Sequence, residues 1–216
     1  MPGNPLACWG LPAPQEVNLQ DYANLWFPDL LRGMDCLVVR PVQPLSPAIS
    51  WLAWRIRWAQ SRIEGQPLTS WQALWDRSIP SHAMTYAGMG RLWSQDSTFG
   101  MVNLKDYRGC TLIFFDPQWA MAERNALMGE ACTHAGDSYA YEDIWGLFLW
   151  AITGSERARE KHSDLKHEYC SEACCVLKQK IVRNWMGGVD PSNVTPLRLL
   201  KLHLAAGSPV FVARFN

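Results

Sequence analysis

Between residues 81 and 115 the chain divides into short β-rich runs separated by glycine turns, and this pattern most constrains the fold. Ser81 to Ala87 precedes a Gly88–Gly90 turn, Arg91 to Ser94 follows it, and a second turn near Asp96–Gly100 leads into Met101 to Leu104. Tight turns between such runs predict an antiparallel meander. Thr111-Leu112-Ile113-Phe114-Phe115 is the strongest strand signal in the chain. Asp116-Pro117 after it predicts a capped helix running to about Cys132.

The flanking segments supply the rest of a core. Met34-Asp35-Cys36-Leu37-Val38-Val39-Arg40, ended by Pro41, predicts a core strand, and Pro209 to Phe215 a closing one. Ser46-Pro47 opens a predicted helix to Arg62, Asp21 to Leu31 a short helix closed by Gly33, and Thr195-Pro196 a short helix through His203. Residues 65–80 are expected to be a connection. Gly136 breaks the pattern, Tyr139 to Ile152 predicts another helix ended by Gly154, and residues 155–168 form a charged, exposed stretch. This order of elements gives an α+β class, with a small antiparallel β-sheet packed against helices. Residues 1–33 form an N-terminal arm, rich in proline at its start, and 34–216 the domain proper. The arm either packs on its own domain or docks a partner.

A chain of 216 residues is enough for one core with an extension, or at most two small domains. Its formal net charge of zero gives no field for gathering nucleic acid or an anionic membrane. Trp51, Trp54 and Trp58 share the 46–62 helix with Arg55, Arg57 and Arg62. Nucleic-acid stacking is one reading of that mixture, and a wide apolar face packed on the core is the preferred one. Seven cysteines at irregular spacing do not form a secreted disulfide framework. The start, Met1-Pro2-Gly3-Asn4-Pro5, carries no basic region followed by an apolar one, so no signal peptide is expected. The longest apolar run, Leu147 to Ile152, is too short for a membrane span. Synthesis in a reducing cytoplasm is the expectation.

Chemistry concentrates at Glu168-Tyr169-Cys170-Ser171-Glu172-Ala173-Cys174-Cys175, which follows the charged stretch and opens an apolar run through Ile181. Cys170 falls in the first turn of a predicted helix stopped by Gly187-Gly188. Unpaired N–H groups and the positive helix end favour a thiolate there. Far upstream, the Ser81 to Ala87 strand carries a histidine, His82, suited to act as base. A competing reading takes His162, His167, Cys170, Cys174 and Cys175 as zinc ligands. They lie along one loop and helix rather than in two separated knuckles, so no metal is expected.

Four stretches in order resemble one family. Met34-Asp35-Cys36-Leu37-Val38-Val39 is similar to the "G-D-[I/L]-hydrophobic" opening strand of permuted papain-like proteins. Ser81-His82-Ala83-Met84-Thr85-Tyr86-Ala87-Gly88-Met89-Gly90 resembles their "S-H-V-G-I-Y-x-G-x-G" strand. Tyr169-Cys170-Ser171-Glu172 resembles "Y-x-C-S-E", and Val194-Thr195-Pro196-Leu197-Arg198-Leu199-Leu200 the late "T-P-x-D-L" helix start. The family is the circularly permuted branch of NlpC-type cysteine peptidases, including YiiX-like proteins. The resemblance implies a permuted papain-like fold with Cys170 as nucleophile and His82 as base, and no cofactor. It also implies a third polar group on the strand after the histidine. Counting without a gap lands on Ser94; Gln95 and Asp96 adjoin it, and Gln95 is favoured. Met84 stands where the family commonly has glycine and is expected to crowd the cleft. The implied substrate is an amide in cell-wall peptide, cleaved by a free or virion-borne (phage tail) enzyme. The alternative is an inactive interaction module of a larger assembly, docking through the arm.

Overall fold

The structure is a computed structural model that describes residues 4–17, 30–40, 47–96, 98–139, 149, 151–153, 167–168 and 170–215. Its elements in chain order are β1 (Gln15–Val17), β2 (Asp35–Val39), α1 (Pro47–Ile63), α2 (Ser70–Trp75), β3 (His82–Gly88), β4 (Arg91–Gln95) and β5 (Phe99–Asn103). There follow β6 (Thr111–Phe115), α3 (Met121–Thr133), β7 (Ser138–Tyr139), β8 (His167–Glu168), α4 (Cys170–Ile181), α5 (Pro196–Ala205) and β9 (Val210–Phe215). The class is α+β.

One seven-stranded sheet runs in the order β1-β9-β6-β2-β3-β4-β5. It is larger than the small antiparallel sheet expected, and its β1–β9 edge is parallel. The added strand comes from the arm: Gln15 to Val17 align with Ala213 to Phe215, while Leu6 and Leu11 are buried in the core. The predicted meander is β3-β4-β5, antiparallel throughout. Its first turn places Gly88, Met89 and Gly90 all at positive φ, a conformation glycine adopts without steric cost.

Every residue of β2 and β6 is buried, because both faces of the sheet are covered. Leu37, Val39, Ala83, Ile113, Phe115 and Val212 pack with Cys174, Cys175 and the α5 leucines. The opposite face sets Cys36, Val38, Met84, Tyr86, Leu112 and Phe114 against Leu30, Met34, Leu104 and Tyr107. Each such Leu, Val or Phe contributes about 1.5–3 kcal/mol when fully buried. Toward β5, Trp93 and Phe99 meet Leu127 and Ala131 of α3 and Ala173 and Leu177 of α4.

Several boundaries differ from expectation, for local reasons. Residues 65–80 contain α2, started by a capping box in which the Thr69 hydroxyl accepts from the Gln72 N–H and the Gln72 carbonyl oxygen from the Thr69 N–H. The helix after Asp116-Pro117 begins only at Met121. The Asp116 carboxylate is taken by the Gln118 N–H and by Arg124, and Gln118 turns to positive φ. Tyr139, expected to open a helix, lies in a two-residue strand parallel to His167–Glu168, and residues 151–153 are helical. The rest of that predicted helix falls outside the described residues, as do most of the Asp21–Leu31 helix and of the 155–168 stretch. The cysteine helix ends at Ile181, ahead of the glycines; Met186 and Gly187 then turn at positive φ.

A buried ionic cluster fixes α4 on the sheet. Lys178, Asp35 and His203 are each wholly buried. The Lys178 ammonium donates to Asp35 Oδ1 at 2.5 Å and to Thr85 Oγ1 at 3.4 Å. His203 Nε2 donates to Asp35 Oδ2 at 2.8 Å, and its ring stacks on Phe115. The carboxylate of β2 thereby joins α4 and α5, and the Lys178 ammonium adds β3 through Thr85. Burial opposes ionisation of Asp35, but Lys178 and His203 together outweigh it and hold the carboxyl below its ordinary range.

Candidate active site

Cys170 is the first residue of α4 and His82 the first of β3. Both are buried, at 3% and 6% exposure. The backbone groups of Ala83 and Ser171 hydrogen-bond to the Cys170 sulfur in its thiolate form, which places the thiol beside the residue that follows His82. Alternation along β3 turns Ala83 and Thr85 toward α4 and turns His82 and Met84 the other way. Thiol and imidazole therefore flank the start of one strand. The imidazole makes no hydrogen bond to Cys170.

The hydrogen bonds of His82 run to β4 and the turn after it. Nε2 lies 2.8 Å from Ser94 Oγ and 3.3 Å from Asp96 Oδ1. Ser94 Oγ donates to Asp96 Oδ2 at 3.2 Å, and the Tyr107 hydroxyl donates to the same oxygen at 3.4 Å. The Tyr107 ring lies nearly parallel to the imidazole, 6.3 Å between centroids. The Ser94 proton is committed to Asp96, so Ser94 accepts from Nε2–H. Donor counting thus assigns the neutral ring a proton on Nε2 and a free lone pair on Nδ1. A base oriented in this way takes a proton at Nδ1.

The favoured third residue is corrected by this geometry. The Gln95 amide donates to the carbonyls of Asp137 at 3.3 Å and Ser138 at 2.9 Å, tying β4 to the β7 segment. It lies on the other face of the strand from Ser94 and Asp96, as alternation requires. Ser94, aligned by the ungapped count, meets the ring together with Asp96. Tyr107 and Arg40 were not anticipated: Tyr107 lies beyond every stretch that resembles the family, and Arg40 read only as a strand end.

The electrostatics also depart from expectation. A helix start was expected to favour a Cys170 thiolate. Burial dominates instead and pushes the thiol up to about 11, with Asp96 adding to the rise; the Ala83 and Ser171 backbone and Arg40 oppose it. Burial lowers His82 to about 4, with Arg40 assisting and Asp96 opposing. At neutral pH the resting pair is thiol and neutral imidazole. Asp96→Asn is expected to lower both values, moving His82 below about 4 and Cys170 below about 11. An NMR titration of the imidazole proton checks the first shift, and an unchanged midpoint would remove Asp96 from the site.

Of the five residues in the zinc reading, the structure describes the side chains of three, Cys170, Cys174 and Cys175. Cys174 sits 3.6 Å from Thr85 Oγ1, and Cys175 is buried in the core. His162 and the side chain of His167 lie outside the described residues. Among the described residues no three His, Cys, Asp or Glu side chains gather as a metal set. Met84, expected to crowd the cleft, is fully buried in the core between Cys36 and Tyr86. Among the described residues no helix is long and apolar enough to cross a membrane. No protein-family model matches the chain, and no curated protein matches it.

Proposed function

We propose that the chain is a thiol hydrolase acting on amides, with Cys170 as nucleophile, His82 as base and the Ser94–Asp96 pair as orienter. The observation that carries this reading is the ordered imidazole. Its Nε2 is tied to Ser94 and Asp96, its Nδ1 is left to accept a proton, and the Cys170 thiol lies beside the backbone of Ala83, the residue that follows His82. As Sγ attacks the amide carbon, its proton passes to Nδ1. The amine leaves with that proton, a thioester forms, and water then releases the acid and restores the thiol. Backbone N–H groups at the start of α4 are suited to the developing oxyanion. Reaching this arrangement requires the imidazole to swing toward α4 when substrate enters.

The substrate class comes from the family resemblance: an amide in cell-wall peptide, met by a free or a virion-borne enzyme. Incubation with peptidoglycan fragments and mass analysis of the products tests it. Cleavage is expected, with Cys170→Ala lowering the rate by about four orders of magnitude or more. Turnover that survives in Cys170→Ala would reject the assignment.

A second reading, an inactive interaction module, draws on a different observation. The thiol is buried and shifted to about 11, and the hydrogen bonds of the imidazole run to Ser94 and Asp96 and not to the thiol. On this reading the same fragments are left uncut.

A further inference from the structure

Ser81, the residue before His82, is 2% exposed, and its N–H still pairs with the Val38 carbonyl of β2 at 2.9 Å. Among the described residues it is the one buried serine or threonine whose hydroxyl meets no hydrogen-bond partner. Thr85 Oγ1 meets Cys174 and Lys178, Ser94 Oγ meets His82 and Asp96, and Ser171 Oγ donates to the Val194 carbonyl. An unpaired buried hydroxyl costs stability, and folded chains seldom carry one.

Register sets what that hydroxyl faces. The Cys170 sulfur meets the Ala83 backbone; four residues on, Cys174 meets Thr85, two residues on. The two elements thus run side by side in one direction, since four helical residues rise about 6 Å and two strand residues about 6.6 Å. One step back from Ala83 is Ser81, turned to the α4 side by the same alternation. One step back from Cys170 precedes the first residue of α4. The Ser81 hydroxyl therefore faces the space ahead of that helix, into which the unpaired N–H groups of its first turn point. Backbone groups of Ala83 and Ser171 favour negative charge on the sulfur at the same place.

We propose that Ser81 is an oxyanion donor, its hydroxyl joining the N–H groups at the start of α4 on the carbonyl oxygen of the group that Cys170 attacks. This deepens the hydrolase reading and rests on it, whichever amide is cut. As the carbon–sulfur bond forms, the π pair of the carbonyl moves onto oxygen, and a donor there holds the tetrahedral state more strongly than the planar one. The hydrogen bond left unmade in the resting chain is made in the transition state, so it raises the rate and not the stability of the fold. Substrate entry must uncover the hydroxyl together with the sulfur, since both are buried.

N-acetylglycinal, labelled with ¹³C at the aldehyde, and iodoacetamide serve as probes. Addition of the thiol to the aldehyde forms a carbon–sulfur bond and leaves the thiol proton on the former carbonyl oxygen. Alkylation displaces iodide and creates no such oxygen. Ser81→Ala is expected to weaken the Cys170 hemithioacetal about ten- to a hundredfold, well beyond any change in the alkylation rate. Ser81→Thr, which keeps the hydroxyl, should retain part of the affinity. The unfolding midpoint of Ser81→Ala should hold or rise, because no buried hydrogen bond is broken. Where wall peptide is cut, kcat should fall about 10²–10³-fold with KM little changed. Failure of the aldehyde to add to the parent chain, equal affinity in Ser81→Ala, or a lowered midpoint overturns the proposal. An adduct that depends on Ser81 without any cleavage of wall peptide retires the hydrolase and keeps the donor. Cleavage indifferent to Ser81→Ala does the reverse.

Discussion

Lys178→Ala is expected to lower the free energy of unfolding by about 3–5 kcal/mol, the cost of leaving a buried charge without its partner. The truncation removes the ammonium from Asp35 and leaves that carboxylate wholly buried with only His203 to meet it. It also opens a cavity under Trp185, whose ring lies 5.5 Å from the ammonium. The double change Lys178→Met with Asp35→Leu should cost far less than either single change, because no charge is then stranded. Urea unfolding of Lys178→Ala, of the double change and of its two single changes decides. A loss of no more than about 1 kcal/mol in Lys178→Ala would mean that the cluster behaves like a surface ion pair. The pH dependence has a definite sign. The folded carboxyl lies below its unfolded value near 3.9, so its stabilisation is present above about pH 4 and disappears as pH falls through the folded pKa.

That cluster also marks where the sequence stops speaking. The strands at 34–40, 81–104, 111–115 and 209–215 follow from alternation and turn chemistry, which are local. So do α1, α4 and α5. The pairing of β1 with β9 joins opposite ends of the chain and has no local signature. Lys178, inside a predicted helix, carries no sign that it reaches Asp35 on a distant strand. Asp116 has the sequence of a cap, but Arg124 claims its carboxylate. The capping box of α2 joins Thr69 and Gln72 inside residues 65–80, a stretch expected to be only a connection.

The candidate site divides along the same line. Cys170 at a helix start and His82 on a strand were readable from spacing and from the family resemblance. The choice of third group was not: the ungapped count lands on Ser94, but the favoured Gln95 is one residue of register away, and a shift of one turns a side chain to the other face. Burial was the larger miss. A helix N-terminus favours a thiolate by an amount set by local geometry, whereas the desolvation that opposes it depends on everything packed above. The same burial acts on His82 in the opposite direction along the pH scale. The two groups are driven toward their neutral forms, away from the ion pair that a preformed thiolate–imidazolium site would hold.

Cys170 is accordingly expected to alkylate more slowly than Cys8 at pH 7 in the resting chain. Cys8 is exposed, whereas Cys170 is 3% exposed with its thiol at about 11. An ordinary thiol near 8.5 is a few per cent ionised at neutral pH, and a thiol near 11 only about one part in ten thousand. Brief iodoacetamide labelling with peptide mapping, repeated from pH 6 to pH 11, reads both sites. The Cys170 rate should climb about tenfold per pH unit across this range. A plateau at neutral pH would instead reveal a thiolate–imidazolium pair and overturn the neutral assignment. Above about pH 8.5 the climb should be accompanied by weakening of the fold. Cys36, Cys110, Cys170, Cys174 and Cys175 all have raised thiol values, so their burial stabilises the native state fully below about 8.5. That stabilisation drains away as pH rises through the folded values, about 11 for Cys170. Unfolding midpoints measured alongside the labelling separate the two effects: a Cys170 rate that climbs below about pH 8.5, where the midpoint holds, reports ionisation within the folded site, whereas exposure by unfolding raises the rates at all five buried thiols together.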